Sequence, residues 1–403
     1  MRFAVLSLFS ALPLAAVVIP AGTELNIRLT DRIASETTTA HTAIHAVLVS
    51  PVAVKDAMAL PLGATLTGEV AKASAANFDG GAQQHATMLL TFSQIGLGAY
   101  KTKLAAVVSG LDNSRETVEA DGTIHGIDGS ETFTSRIDQG VDKLKANDRF
   151  AALAGIIQAA KQVLKIQPAN PNIDYDPGVE MTLKLTAPLD WRGATAGPEA
   201  KLVPMPDPDA LADLVAREPW RTMAQSPARP SDVTNVMLLA TEQEIQNAFA
   251  KAGWSSSARL STESKLETAR ALIEDRGYKE GPMSVLYLDG QAPAFMFQKG
   301  NNTYAARHHL RVFRRPDTFA GKPVWVVSST HDTGIDFSER DRTFIHRIDS
   351  NIDNERAKVV DDLLLGGAVR SLALVDRDLP ANLANATGDA IQTDGRMAVL
   401  LLQ

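Results

Sequence analysis

Cysteine is absent from the 403 residues. Disulfides, thiol catalysis and thiolate metal sites are therefore excluded, and histidine and carboxylates are the only strong metal ligands left. A polybasic patch is missing too. The net charge is −7 and is spread over both halves, which argues against nucleic acid as a partner. Beyond residue 19 no stretch has the length and purity of a membrane-spanning helix. Complete catalytic signatures are also lacking: there is no HExxH, HxH or GxSxG, and SxxK fails because Ser264 directly precedes Lys265.

What is present begins with Met1-Arg2 and the apolar run Phe3 to Ile19. A short basic region before such a run reads as a secretory signal. Pro13 interrupts it and it falls short of the roughly 20 residues of a spanning helix. Residues 1–18 are thus expected to be a signal peptide or an N-terminal anchor. The chain is expected to be exported to the periplasm or cell envelope, with membrane association possible through this N-terminus.

Residues 19–190 carry short alternating apolar segments between turn residues: ELNIRL (24–29), AIHAVLVSPVAV (43–54), ALPLGATLTGEVAKASA (59–75), the two segments of 86–110, and GVEMTLKLTAPL (178–189). This spacing predicts an antiparallel β-barrel or sandwich. Between residues 135 and 167 the period changes: Phe150, Leu153, Ile157, Ala160 and Leu164 mark one face of an inserted helix. His41, His45, His85 and His125 are read as strand or loop histidines. Residues 191–232, with seven prolines from Pro198 to Pro230 and the helix-forming DALADLVA, read as a linker.

Residues 233–403 alternate strands and helices, which predicts a mixed α/β layered domain. Thr241 with Glu244 forms a capping box before EQEIQNAFAKAG, Ser261 opens a second helix, and ERAKVVDDLLLGG a third. SVLYLDG and AFMFQKG (284–300) are expected to pair as a hairpin. The fold class is therefore mixed α+β: a barrel-like half, a Pro-rich linker and an α/β half.

Four of the eight histidines fall between Arg307 and Arg356, in RHHLRVFRR, KPVWVVSSTHDTGIDFS and FIHRIDSNIDNER. Strand alternation puts His308, Leu310 and Val312 on one face and Arg307, His309, Arg311 and Phe313 on the other. His308 thus lies with the apolar side, while Asp353 and Glu355 open a helix and suit capping. Two functions follow. One is a non-catalytic envelope module that binds a protein, a glycan or a lipid headgroup. The other is a metal-assisted hydrolase: three of His309, His331, His346 and Asp349 hold Zn²⁺ or Mn²⁺, Asp332 or Asp353 is the base, and Arg311 clamps an anion.

Two resemblances bear on these expectations. The motifs NVMLLATEQEIQNAFAKAGW, SVLYLDGQAPAFMFQKG, ARHHLRVFRRP, GKPVWVVSSTHDTGIDFS, FIHRIDSNIDNER and TDGRMAVL resemble the LssY C-terminal domain family across residues 233–403. That family brings no agreed biochemical activity. IPAGTELNIRLTDRI, AVLVSPVAV and LPLGATLTGEV resemble the β-barrel domain of type IV secretion and conjugation outer-membrane core proteins. This likeness implies a barrel fold and an envelope compartment.

Overall fold

A computed structural model describes residues 16–79, 82–130, 132–146, 151–225, 228–258, 261–338 and 343–403. The expected leader lies largely outside the described residues. Its last positions do not: Val17–Ile19 pairs with Leu189–Trp191.

Six strands close the first half into an antiparallel barrel: β1 Glu24–Leu29, β2 Ala43–Leu48, β3 Thr65–Ser74, β4 Thr87–Leu97, β5 Tyr100–Leu111 and β6 Glu180–Leu185, in the cyclic order β5-β6-β1-β2-β3-β4. Alternation drives this. In ELNIRL and AIHAVL every second residue is buried, so Leu25, Ile27, Leu29, Ile44, Ala46 and Leu48 fill the interior. Gly68 permits the tight β3–β4 approach, because a Cβ there would collide with the backbone of Thr91 and Phe92.

Between β5 and β6 the chain forms two helices, α1 Phe133–Lys145 and α2 Ala151–Val163. The predicted helical face of 150–164 does not enter the barrel core: Leu153 and Ala160 are exposed, Ile157 and Leu164 are half-buried, and Phe150 lies outside the described residues. An apolar stripe sets the side of a helix, but it cannot say what covers that side. The four histidines of this half lie beside acids, as in His41–Glu69 at 3.2 Å and His45–Asp31 at 3.0 Å.

α3 Pro208–Arg217 lies in the proline-rich stretch and packs Leu211, Leu214 and Val215 onto the second half. The sheet there has the order β8-β9-β10-β7-β13-β12. Its strands are β7 Val236–Leu239, β8 Phe295–Lys299, β9 Arg307–Phe319, β10 Lys322–Ser338, β11 Thr343–Ile348, β12 Val369–Asp376 and β13 Arg396–Leu402. β7 and β13 run parallel, and β11 pairs with the far end of β10. One face carries α4 Glu242–Lys251 and α6 Ile352–Leu365; α3 covers part of the other. The predicted Thr241–Glu244 capping box is present, and α5 Thr262–Ile273 opens on Ser261, which forms a second one with Ser264.

β9 and β10 form one long hairpin. Its two-residue turn, Ala320-Gly321, has both φ angles positive, as a type I′ turn requires. The expected 284–300 hairpin closes only at its turn, where Leu288 and Gln291 exchange backbone hydrogen bonds, and its arms do not pair. β8 pairs with β9 instead, and Tyr287 bridges Met223. The long β9 offers a full partner edge, so residues 282–288 are left as a loop beside the sheet.

Candidate functional site

The polar side chains of the second half are placed by the β9–β10 register. Arg307 opposes Asp332, His308 opposes His331, and His309 opposes Thr330. Opposed residues in an antiparallel pair share a face, and successive residues alternate. Arg307, His309 and Arg311 therefore join Thr330 and Asp332 on one face, while His308 and His331 lie on the other. Each face borders its own cavity.

The first cavity, about 820 Å³, is floored by Arg307, His309, Arg311, Asp332 and His346 and walled by the 282–287 loop and Tyr304. Asp332 Oδ2 lies 3.3 Å from His346 Nδ1, 3.4 Å from His309 Nδ1 and 3.5 Å from Arg307 Nε. Among the described residues none of these three nitrogens has a hydrogen-bond partner of good geometry. Elsewhere the shell is tied down. His309 Nε2 meets Thr330 Oγ1 at 2.8 Å, and Arg307 donates to Gln298 Oε1 at 2.7 Å. Arg311 donates to the Ser284 carbonyl, Ser284 Oγ and Asp232 Oδ2.

Burial pushes the Asp332 carboxyl up to about 7, with Asp232 adding to the rise and Arg307 and Arg311 opposing it. Burial, then Arg311 and Arg307, hold His309 well below the ordinary imidazole range. Burial and Arg307 bring His346 down to about 4. At neutral pH both imidazoles are therefore neutral beside a carboxyl near its midpoint. Such a floor offers donors and acceptors together, flanked by two guanidinium groups that disfavour a metal cation.

A stability consequence follows. An unfolded aspartate ionises near pH 4, whereas Asp332 in the folded chain ionises near 7. Between those values the folded state holds the extra proton, so this group lowers stability as pH rises from 4 to 7 and adds nothing further above. In chemical denaturation at stepped pH, the wild-type stability minus that of Asp332→Asn is expected to fall across this window and then level off. A difference that is flat from pH 4 to 7 would contradict the assignment.

The second cavity, about 530 Å³, lies between the barrel and the α/β half and is lined by Asp112, Glu180, His308, His331, Asp349, Glu355 and Lys358, among others. His308 bridges two acids, with Nδ1 at 2.6 Å from Glu355 Oε2 and Nε2 at 2.7 Å from Asp112 Oδ2. His331 Nε2 is 2.8 Å from Asn113 Oδ1, and its ring stacks on His308 with centroids 4.2 Å apart.

The residues expected from sequence are thus divided. His309, His346, Asp332 and Arg311 meet in the first cavity, and His331 and Asp349 border the second. The expected metal set of His309, His331, His346 and Asp349 does not share one centre, because the strand places His309 and His331 on opposite faces. Asp353 borders neither cavity. It accepts from Thr393 Oγ1 at 2.8 Å and Arg356 at 3.0 Å. Sequence reasoning passed over Asp112, Asp232, Ser284 and Tyr304, and it placed Arg307 on the right face without giving it a role. Asp112 is 196 residues from His308, and no local spacing signals that meeting.

Among the described residues, no helix is long and apolar enough to cross a membrane. No curated protein matches the chain. Among solved structures, ComB10 of the Com type IV secretion system of Helicobacter pylori is similar at 12% identity and a TM-score of 0.21, covering 43% of this chain and 89% of that one. Residues 217–397 match the family model described as LssY C-terminus, so the second half of this chain carries the domain of that family.

Proposed function

We propose that this chain is an exported envelope binding module whose first cavity takes a polyhydroxylated ligand, the saccharide part of an envelope component. The apolar run Phe3 to Ile19 supports export. The carrying observation is the floor: one buried carboxyl ringed at 3.3–3.5 Å by two neutral imidazoles and a guanidinium, with ring and guanidinium nitrogens not yet engaged. A vicinal diol presents donors and acceptors at the same spacing. Half-buried Tyr287 supplies a flat wall against which a sugar ring can lie, and Tyr304, buried beneath the Arg307 guanidinium at 4.4 Å, backs the floor. The cavity suits a ligand of a few rings. Among the described residues no activated serine, threonine or lysine nucleophile stands beside the carboxyl, which favours binding over turnover.

The test is calorimetric titration of the full chain with muropeptides and lipopolysaccharide-derived oligosaccharides. At least one is expected to bind, with Asp332→Asn and Tyr304→Ala each weakening it roughly tenfold or more. Silence across the panel from folded protein would end the saccharide reading. A ligand recovered cleaved, by mass spectrometry, would replace binding with hydrolysis.

A further inference from the structure

We propose that Asp112, His308 and His331 form a site for a divalent transition metal of the zinc class, closing the seam between the barrel and the α/β domain. It stands apart from the saccharide reading, on the opposite face of the sheet. One ligand atom from each residue lies within 4.8 Å of the other two. Zinc ligands about 2.0–2.1 Å from the ion need separations of this order or less, so modest side-chain rotation gathers them.

The surroundings fit a ligand set. His308 Nδ1 is engaged by Glu355 Oε2, which leaves Nε2 facing Asp112 Oδ2 at 2.7 Å. A carboxylate behind one ring nitrogen of a histidine is the arrangement that orients the other towards a metal. His331 Nε2, stacked alongside, lies 3.8 Å from Asp112 Oδ1, and binding an ion there exchanges its present 2.8 Å contact with Asn113 Oδ1 for the metal. Glu355 is 2% exposed, and its second oxygen has no hydrogen-bond partner among the described residues. Two imidazoles and one carboxylate suit zinc better than calcium or magnesium, which prefer all-oxygen shells. The fourth position opens on the 530 Å³ cavity. The nearby cation, Lys358, is held by Asp362 at 2.7 Å and Glu180 at 3.1 Å. Asp112 comes from the loop after β5, and the histidines from β9 and β10. An ion here would tie the two halves together.

The experiment uses the full chain, stripped with a chelator and titrated with Zn²⁺. Calorimetry and elemental analysis are expected to give about one equivalent, with a matching rise in melting temperature. Co²⁺ in its place is expected to show the strong visible absorption of a four-coordinate ion. Asp112→Asn and His331→Gln are expected to lose the equivalent, and Glu355→Gln to weaken it roughly 10–100-fold. His45→Ala, distant and exposed, should bind as wild type. The proposal is overturned by folded wild-type protein that binds no metal, or by variants that keep the full equivalent. If a variant does not fold, the wild-type Co²⁺ spectrum decides: octahedral or absent absorption rejects the site.

Discussion

Replacing Asp362 by alanine is expected to lower the free energy of unfolding by about 3–5 kcal/mol in urea denaturation, because it leaves buried cations uncompensated. Asp362, on α6, is 1% exposed. It accepts from Trp254 Nε1 at 2.8 Å and contacts Lys358 at 2.7 Å, Lys299 at 3.1 Å and Arg28. Glu180, on barrel strand β6, meets Arg28 at 2.7 Å, Lys299 at 2.8 Å and Lys358 at 3.1 Å. Two acids hold three cations across the seam, and removing one acid leaves three cations facing the other.

Burial opposes ionisation of both acids, but Lys358 and Lys299 hold them below the usual carboxylate range. With folded values depressed, their stabilisation is fully present above the unfolded carboxylate range near pH 4 and is lost as pH falls below it. The Asp362→Ala variant should therefore lack part of the wild type's loss of stability in acid. Asp174→Ala, which breaks a solvent-facing contact with Arg32, should be indistinguishable from wild type. Equal effects from the two substitutions would refute the cluster's importance.

Trp325→Ala is expected to cost about 3–5 kcal/mol, from lost packing and the cavity left behind. The ring is 1% exposed near the start of β10. It packs against Phe295 at 5.6 Å between centroids, lies under the Arg314 guanidinium at 5.3 Å, and donates from Nε1 to the Ala240 carbonyl at 2.8 Å. Trp325→Phe keeps most of the packing but orphans that carbonyl, so a smaller loss of about 1–3 kcal/mol is expected. Guanidinium denaturation of both variants separates packing from hydrogen bonding. A phenylalanine variant as unstable as the alanine one would assign the effect to the hydrogen bond instead.

Local chemistry carried much of the fold. The period-2 pattern of ELNIRL and AIHAVL specified which side chains fill the barrel, and the Thr241–Glu244 pair marked the start of α4. Alternation in RHHLRVF separated His308 from His309, and the β9–β10 register agrees. The pairing of 284–300 was not legible, because a short apolar run satisfies its backbone with whichever edge the fold presents. β9 presented the better one to Phe295–Lys299. The apolar stripe on 150–164 likewise had no partner written into it.

By itself the chain's order of residues determined element types, strand faces, the absence of thiol chemistry and the region of polar concentration, since these depend on neighbours a few positions apart. Tertiary structure alone decided that the polar region divides into two cavities. It also decided that Asp332 sits among Arg307, His309 and His346, and that Asp112, from the barrel, stands against His308. Such meetings arise from how twisted sheets and helices pack their apolar faces. That packing is set by the whole molecule, so the charges it brings together can be far apart along the chain.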